Sequence, residues 1–182
     1  MKRKIYIFSL LFLLSFLIGC KTNKDVKENK ELKVISDFEN FSFIPEKFSY
    51  KGGNISPVVK VKNIPSQTKS LVLIVEDPDA PFKKFIHWIL FNIPPYDSII
   101  PEGFSKSSFK LKDGILQGLN SLNEYIYFGP NPPSKTHRYF FKVYAIDTML
   151  IEDSTLTYEN IIKMIENHII SYGELVGKYS KK

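Results

Sequence analysis

The residues of this chain best suited to chemistry fall in two blocks. The first runs Asp77-Pro78-Asp79-Ala80-Pro81 and resumes at His87-Trp88-Ile89-Leu90-Phe91-Asn92-Ile93-Pro94. The second runs Tyr127-Phe128-Gly129-Pro130-Asn131-Pro132-Pro133 and resumes at His137-Arg138-Tyr139. Two of the three histidines of the chain lie in these blocks. Imidazole, phenol and carboxylate together donate, accept and tune charge, which suits a small anion of the phosphate type. Other chemistries use the same groups. Asp77, His87 and His137 are acceptable zinc ligands, and either histidine with Asp77 is able to activate a water for hydrolysis. The sequence has no Gly-x-Ser-x-Gly elbow, so a nucleophile would have to be water. Binding is therefore the leading reading, with hydrolysis and metal binding behind it.

Each block reads as a stiff loop feeding a strand. Pro78 and Pro81 fix φ and lack an N–H, so the chain turns after the preceding strand and holds its carboxylates there. Asp-Pro pairs also start ordinary turns. Asp79 and Pro81 are expected to support the site. His87 and Trp88 begin the next strand, and strict alternation puts them on opposite faces, with Trp88 as a supporting core residue. Gly129 permits a close backbone approach, and Pro130, Pro132 and Pro133 stiffen its loop. His137 and Tyr139 share a face, with Pro132 in support. Arg138 lies on the other face and is expected to pair with an acid or a carbonyl. Asp77, His87, His137 and Tyr139 should thus meet at one end of a sheet.

The elements that must position them are mostly strands. Short apolar runs rich in β-branched and aromatic residues cover Phe41 to Ile44, Val58 to Val61, Ser70 to Glu76, Phe85 to Asn92 and Arg138 to Asp147. The run from Ser70 reads as a buried central strand. One segment, Thr157 to Ile170, places Ile161, Ile162, Ile165 and Ile169 on one helical face, with Ser154 or Thr157 as its cap. A short last strand over Gly173 to Tyr179 follows. Long loops at 94–112 and 113–137 remain. The expected fold is mainly β: an antiparallel β-sandwich with one principal C-terminal helix and long loops.

The N-terminus is read apart from the fold. Lys2, Arg3 and Lys4 precede an apolar run from Ile5 to Ile18, which ends in Leu17-Ile18-Gly19-Cys20. The run is shorter than the ~20 residues a bilayer span needs. Its end resembles a bacterial lipoprotein signal, and Cys20 is the only cysteine of the chain. Residues 1–19 are therefore expected to be a signal peptide. Residues 20–33 are then a lipidated cysteine with a flexible polar tether, and 34–182 the domain. That places the protein in the cell envelope, lipid-anchored to a membrane on its extracytoplasmic side. The formal charge of +6 resides at the ends, leaving residues 34–177 at −2, so nucleic acid is not an expected partner.

Taken together the blocks resemble the phosphatidylethanolamine-binding protein family, also called the Raf-kinase-inhibitor-like family. The resemblance runs from about Phe41 to Tyr179. It includes Gly53-Asn54-Ile55-Ser56-Pro57 and Glu174-Leu175-Val176-Gly177-Lys178-Tyr179. It implies a β-sandwich and a pocket for phosphate or phospholipid head groups, formed here by Asp77, His87, Gly129, Pro130, His137 and Tyr139. Asn131 stands where many bacterial relatives carry cysteine, and Phe104 to Leu122 matches the pattern poorly. No cofactor is implied. The resemblance also admits a third class of function, an inhibitor or regulator of an extracytoplasmic protein.

Overall fold

The computed structural model describes residues 31–96 and 98–180. Cys20, the leader and most of the expected tether lie outside them. Eight strands and one helix follow in the order β1 (Lys33–Ile35), β2 (Val59–Lys62), β3 (Ser70–Asp77), β4 (Phe85–Ile93), β5 (Ile99–Ile100), β6 (Leu116–Gln117), β7 (Thr136–Ile146), α1 (Tyr158–Ile165) and β8 (Ile169–Ser180). The small sheet has the order β1-β2-β5 and the large one β6-β4-β3-β7-β8. Every strand pairing is antiparallel. The mainly β sandwich with one helix is therefore the fold observed.

The large sheet is covered on both faces, which is why all eight residues of β3 are buried. On one face Leu71, Leu73, Val75, Trp88, Tyr139, Phe141 and Val143 pack with Val34, Val59, Val61 and Ile100 of the small sheet. On the other, Val72, Ile74, Ile89 and Phe91 meet Ile161 and Ile165 of α1. The amide of Asn160 reaches back to the Thr157 backbone N–H at 3.1 Å, so Thr157 rather than Ser154 caps the helix.

Three local expectations are corrected. Phe41 to Ile44 is not a strand but a strap along the outer edge of β8. Phe41 N–H donates to the Val176 carbonyl and Ile44 N–H to the Lys178 carbonyl. Phe41 has φ of 59°, far from the extended backbone of a regular strand. The strap covers an edge that would otherwise be free to pair with another chain. The helix ends at Ile165, and Ile169 and Ile170 open β8 instead. Ile169 pairs with Ile146, and β8 continues against β7 as far as Thr136–Ser180. That long ladder overrides the local helical spacing. The body also begins earlier than residue 34. Leu32 is buried, and its N–H donates to the Tyr172 carbonyl at 3.0 Å.

Candidate functional site

Strands β3, β4 and β7 run side by side, so the end of β3 and the starts of β4 and β7 share one end of the large sheet. Asp77, Phe85, His87, His137 and Tyr139 line a cavity of about 120 Å³ there, walled further by Ala80, Pro81, Phe128, Asn131, Pro132 and Pro133. Four sequence-predicted groups, Asp77, His87, His137 and Tyr139, are thus brought together, with Pro81 and Pro132 in the wall.

His87 reaches this face by a register irregularity. Val75 pairs with Trp88 while Glu76 pairs with Ile86, which leaves His87 as an extra residue in β4. A bulge of this kind re-aims side chains and is common beside functional sites. Simple alternation, which put His87 and Trp88 on opposite faces, is corrected. Both lie on the inner face, where the His87 ring stands edge-on to Tyr139 at 5.1 Å and Trp88 packs against Tyr127 at 5.6 Å. Trp88 is fully buried and donates its indole N–H to Gln117 Oε1 at 2.7 Å. It supports the site from the core.

The imidazoles are held differently. His87 Nδ1 meets the Phe128 carbonyl. A carbonyl only accepts, so Nδ1 carries the proton and Nε2 of the neutral ring keeps its lone pair. Burial lowers the His87 pKa to about 4, assisted by the charge of His137 and opposed by the Phe128 carbonyl. His137 Nδ1 lies 2.7 Å from Asp77 Oδ2, and both side chains are buried. Asp77 Oδ1 accepts the Asp79 N–H at 2.8 Å. Burial nevertheless raises the Asp77 pKa, against the hydrogen bond and charge of His137. The Tyr139 hydroxyl is buried and has no hydrogen-bond partner among the described residues. Its pKa is raised, first by burial and then by the charge of Asp77.

The wall is fixed from outside. Arg138, between the two inward residues of β7, donates Nε–H and Nη2–H to Asp79 at 2.9 and 2.6 Å, and its backbone N–H to the same carboxylate at 2.9 Å. The expected acid partner of Arg138 is thus Asp79. Gly129 and Pro130 are buried but do not line the cavity. Gly129 N–H donates to Asn54 Oδ1 at 2.7 Å. A Cβ at Gly129 would lie 2.4 Å from the Phe48 carbonyl oxygen. Gly129 therefore lets two backbones approach, and Asn54 explains the Gly53-Asn54-Ile55-Ser56-Pro57 run.

Phe85 and Phe128 are cavity residues that the sequence reading missed. For Phe85 the signal was present: it stands two residues before His87, on the same strand face. Phe128 gave no such signal, because its loop has no period. No serine, threonine or cysteine lines the cavity among the described residues, and no group of three His, Cys, Asp or Glu is placed to hold a metal ion. Roomier hollows of about 410 Å³ beside Lys84 and Tyr158 and about 450 Å³ along Lys33 to Asn40 contain no histidine. Chemistry, not size, identifies the site.

Comparison with known proteins agrees with this fold. A sequence model described as phosphatidylethanolamine-binding protein matches residues 34–180. The chain is 45% identical over 159 residues to a UPF0098 protein of Pyrococcus horikoshii, covering 86% of this chain and 80% of that one. It is 40% identical over 181 residues to a UPF0098 protein of Archaeoglobus fulgidus, covering all of this chain but only 61% of the relative. Among solved structures it is similar to a phosphatidylethanolamine-binding protein homolog from Chlamydia trachomatis, at 37% identity and a TM-score of 0.76 over 84% of this chain and 99% of that one. It is also similar to YbcL of E. coli, described as a member of the mammalian PEBP family, at 29% identity and a TM-score of 0.77 over 84% and 100%. With the family's sequence pattern running from the first strand to the last and the same sandwich beneath it, the chain belongs to the phosphatidylethanolamine-binding protein family.

Proposed function

We propose that this protein is a binding protein, anchored to a membrane of the cell envelope through Cys20, whose cavity takes a phosphate monoester or head group. The observation that carries the reading is the buried, unpartnered Tyr139 hydroxyl in a cavity shared with two imidazoles. A buried polar atom without a partner costs about 1–3 kcal/mol, and a guest with acceptor oxygens removes that cost. Each histidine is tied down through Nδ1, so each Nε2 remains for a guest. His87 can only accept, whereas Tyr139 can donate. A phosphate monoester monoanion offers both a P–OH and P–O⁻ oxygens and so matches the pair. The cavity is smaller than the ~300–1,000 Å³ of drug-sized pockets, so it suits a head group and not acyl chains.

Thermal unfolding with inorganic phosphate or phosphoethanolamine tests the pocket. Both ligands should raise the Tm of the wild type, and Tyr139→Phe and His137→Asn should lose most of that shift. Tyr139→Phe removes one atom that has no internal partner, so it should fold normally. Equal protection of wild type and both variants would reject the pocket. For the anchor, Cys20→Ser or globomycin should leave an unprocessed precursor, and normal processing after either change would reject it.

A further inference from the structure

We propose that the end of the body opposite the cavity rests on an anionic lipid surface, so that the cavity opens away from the anchoring membrane and takes its guest from solution. This rests on the Cys20 anchor proposed above. Leu32 is fixed beside Tyr172. β8 pairs Tyr172 with Tyr144 and Tyr179 with His137. The chain therefore joins the body seven residues down the strand from the cavity, roughly 23 Å at about 3.3 Å per residue.

The surface around that junction has the composition of a lipid contact. Lys33 and Lys62 are exposed and stand directly opposite each other in the β1–β2 register. Like charges so placed repel unless an anion lies against them. Lys69 is exposed at the end of the large sheet away from the cavity, its N–H on the Ile146 carbonyl. Ser70 Oγ donates to the Thr148 carbonyl, which brings Met149 to the same end. Met149 is 55% exposed and Ile169 42%. The neighbouring Asp147 is engaged by His168 at 2.7 Å. Lysines among exposed apolar side chains are what an anionic bilayer surface attracts. Residues 21–31 reach at most about 40 Å even when fully extended. Turning the cavity onto the same membrane would use more than half of that reach merely to run back along the body.

The test uses the lipidated full-length protein in vesicles of phosphatidylglycerol and phosphatidylcholine, made with and without phosphatidylethanolamine. The lipid occupies Cys20, so a cysteine introduced at Met149 or at Phe82 can be labelled alone. Phe82 is fully exposed on the loop of the cavity wall. A head-group quencher carried on lipid should remove most emission from a fluorophore at Met149→Cys and little from one at Phe82→Cys. Lys33→Glu, Lys62→Glu and Lys69→Glu together should bring quenching at 149 down to the level at 82. Soluble phosphoethanolamine should alter the emission at 82, whereas phosphatidylethanolamine in the same vesicle should not. Equal quenching at both sites, stronger quenching at 82, or a response to the vesicle's own phosphatidylethanolamine overturns the orientation while leaving the anchor intact. Absence of lipid on Cys20 by mass spectrometry overturns the anchor and the orientation together.

Discussion

Acid should unfold this protein partly through His87. Its pKa falls from 6.5 to about 4 on folding, because burial disfavours the imidazolium. Above pH 6.5 the ring is neutral in both states and contributes nothing to the pH dependence. Between 6.5 and 4 the unfolded chain takes up a proton that the native site refuses, so stability drops as pH falls. At about 1.4 kcal/mol per unit the full loss is roughly 3.4 kcal/mol, a factor of about 300 in the folding equilibrium. For a body of this size that corresponds to a Tm lower by roughly 10 °C. Asp77 shifts in the opposite direction, its folded pKa being raised. It is retained in both proteins of the comparison, so its contribution cancels in the difference. Urea titrations of wild type and His87→Gln, made at intervals from pH 8 to pH 4, supply the measurement. The variant should be less stable at pH 8 and should lose about 3 kcal/mol less on acidification. Parallel stability curves for the two proteins would refute the linkage, as would an NMR titration of His87 with its midpoint near 6.5.

Other predictions follow from the same geometry. Gly129→Ala drives a methyl group into the Phe48 carbonyl and the Ser49–Tyr50 backbone; it should destabilise by about 1–3 kcal/mol in denaturant titrations. Phosphate monoesters should bind more tightly below their second pKa near 6 than above it, because only the monoanion can donate to His87; sulfate, lacking that donor, should bind weakly and show no such step in calorimetry. Ile161→Ala should cost about 2–5 kcal/mol, since Ile161 is fully buried between α1 and the large sheet, yet leave the phosphate-induced Tm shift unchanged.

Much of the site was legible because its chemistry is concentrated in short segments with strong backbone preferences. Asp77-Pro78-Asp79 had to turn, and His137 and Tyr139 had to share a face whichever strand they joined. What escaped depended on partners distant in sequence. The extra residue at His87 exists only relative to β3, so no inspection of β4 alone could find it. The exchange of helix for strand at Ile169 was decided by β7, because a ladder of that length outweighs a local 3.6-residue spacing. Gly129 and Pro130 were read as cavity residues, but their neighbours come from the turn at Phe48 to Tyr50 and from Asn54. Proline and glycine announce where a loop is stiff; they do not tell what it packs against.

The Arg138–Asp79 clamp has a consequence for how the cavity answers its surroundings. Asp77, His87, His137 and Tyr139 are buried, but the pair that braces one wall of their cavity is partly in water: the Arg138 side chain is 50% exposed and that of Asp79 28%. Ions in the medium screen exposed pairs far more than buried ones. Ionic strength should therefore reach the cavity through its scaffold, loosening the Asp77 loop and weakening even an uncharged occupant. Arg138→Gln should abolish that part of the salt response while leaving the direct competition between anions in place.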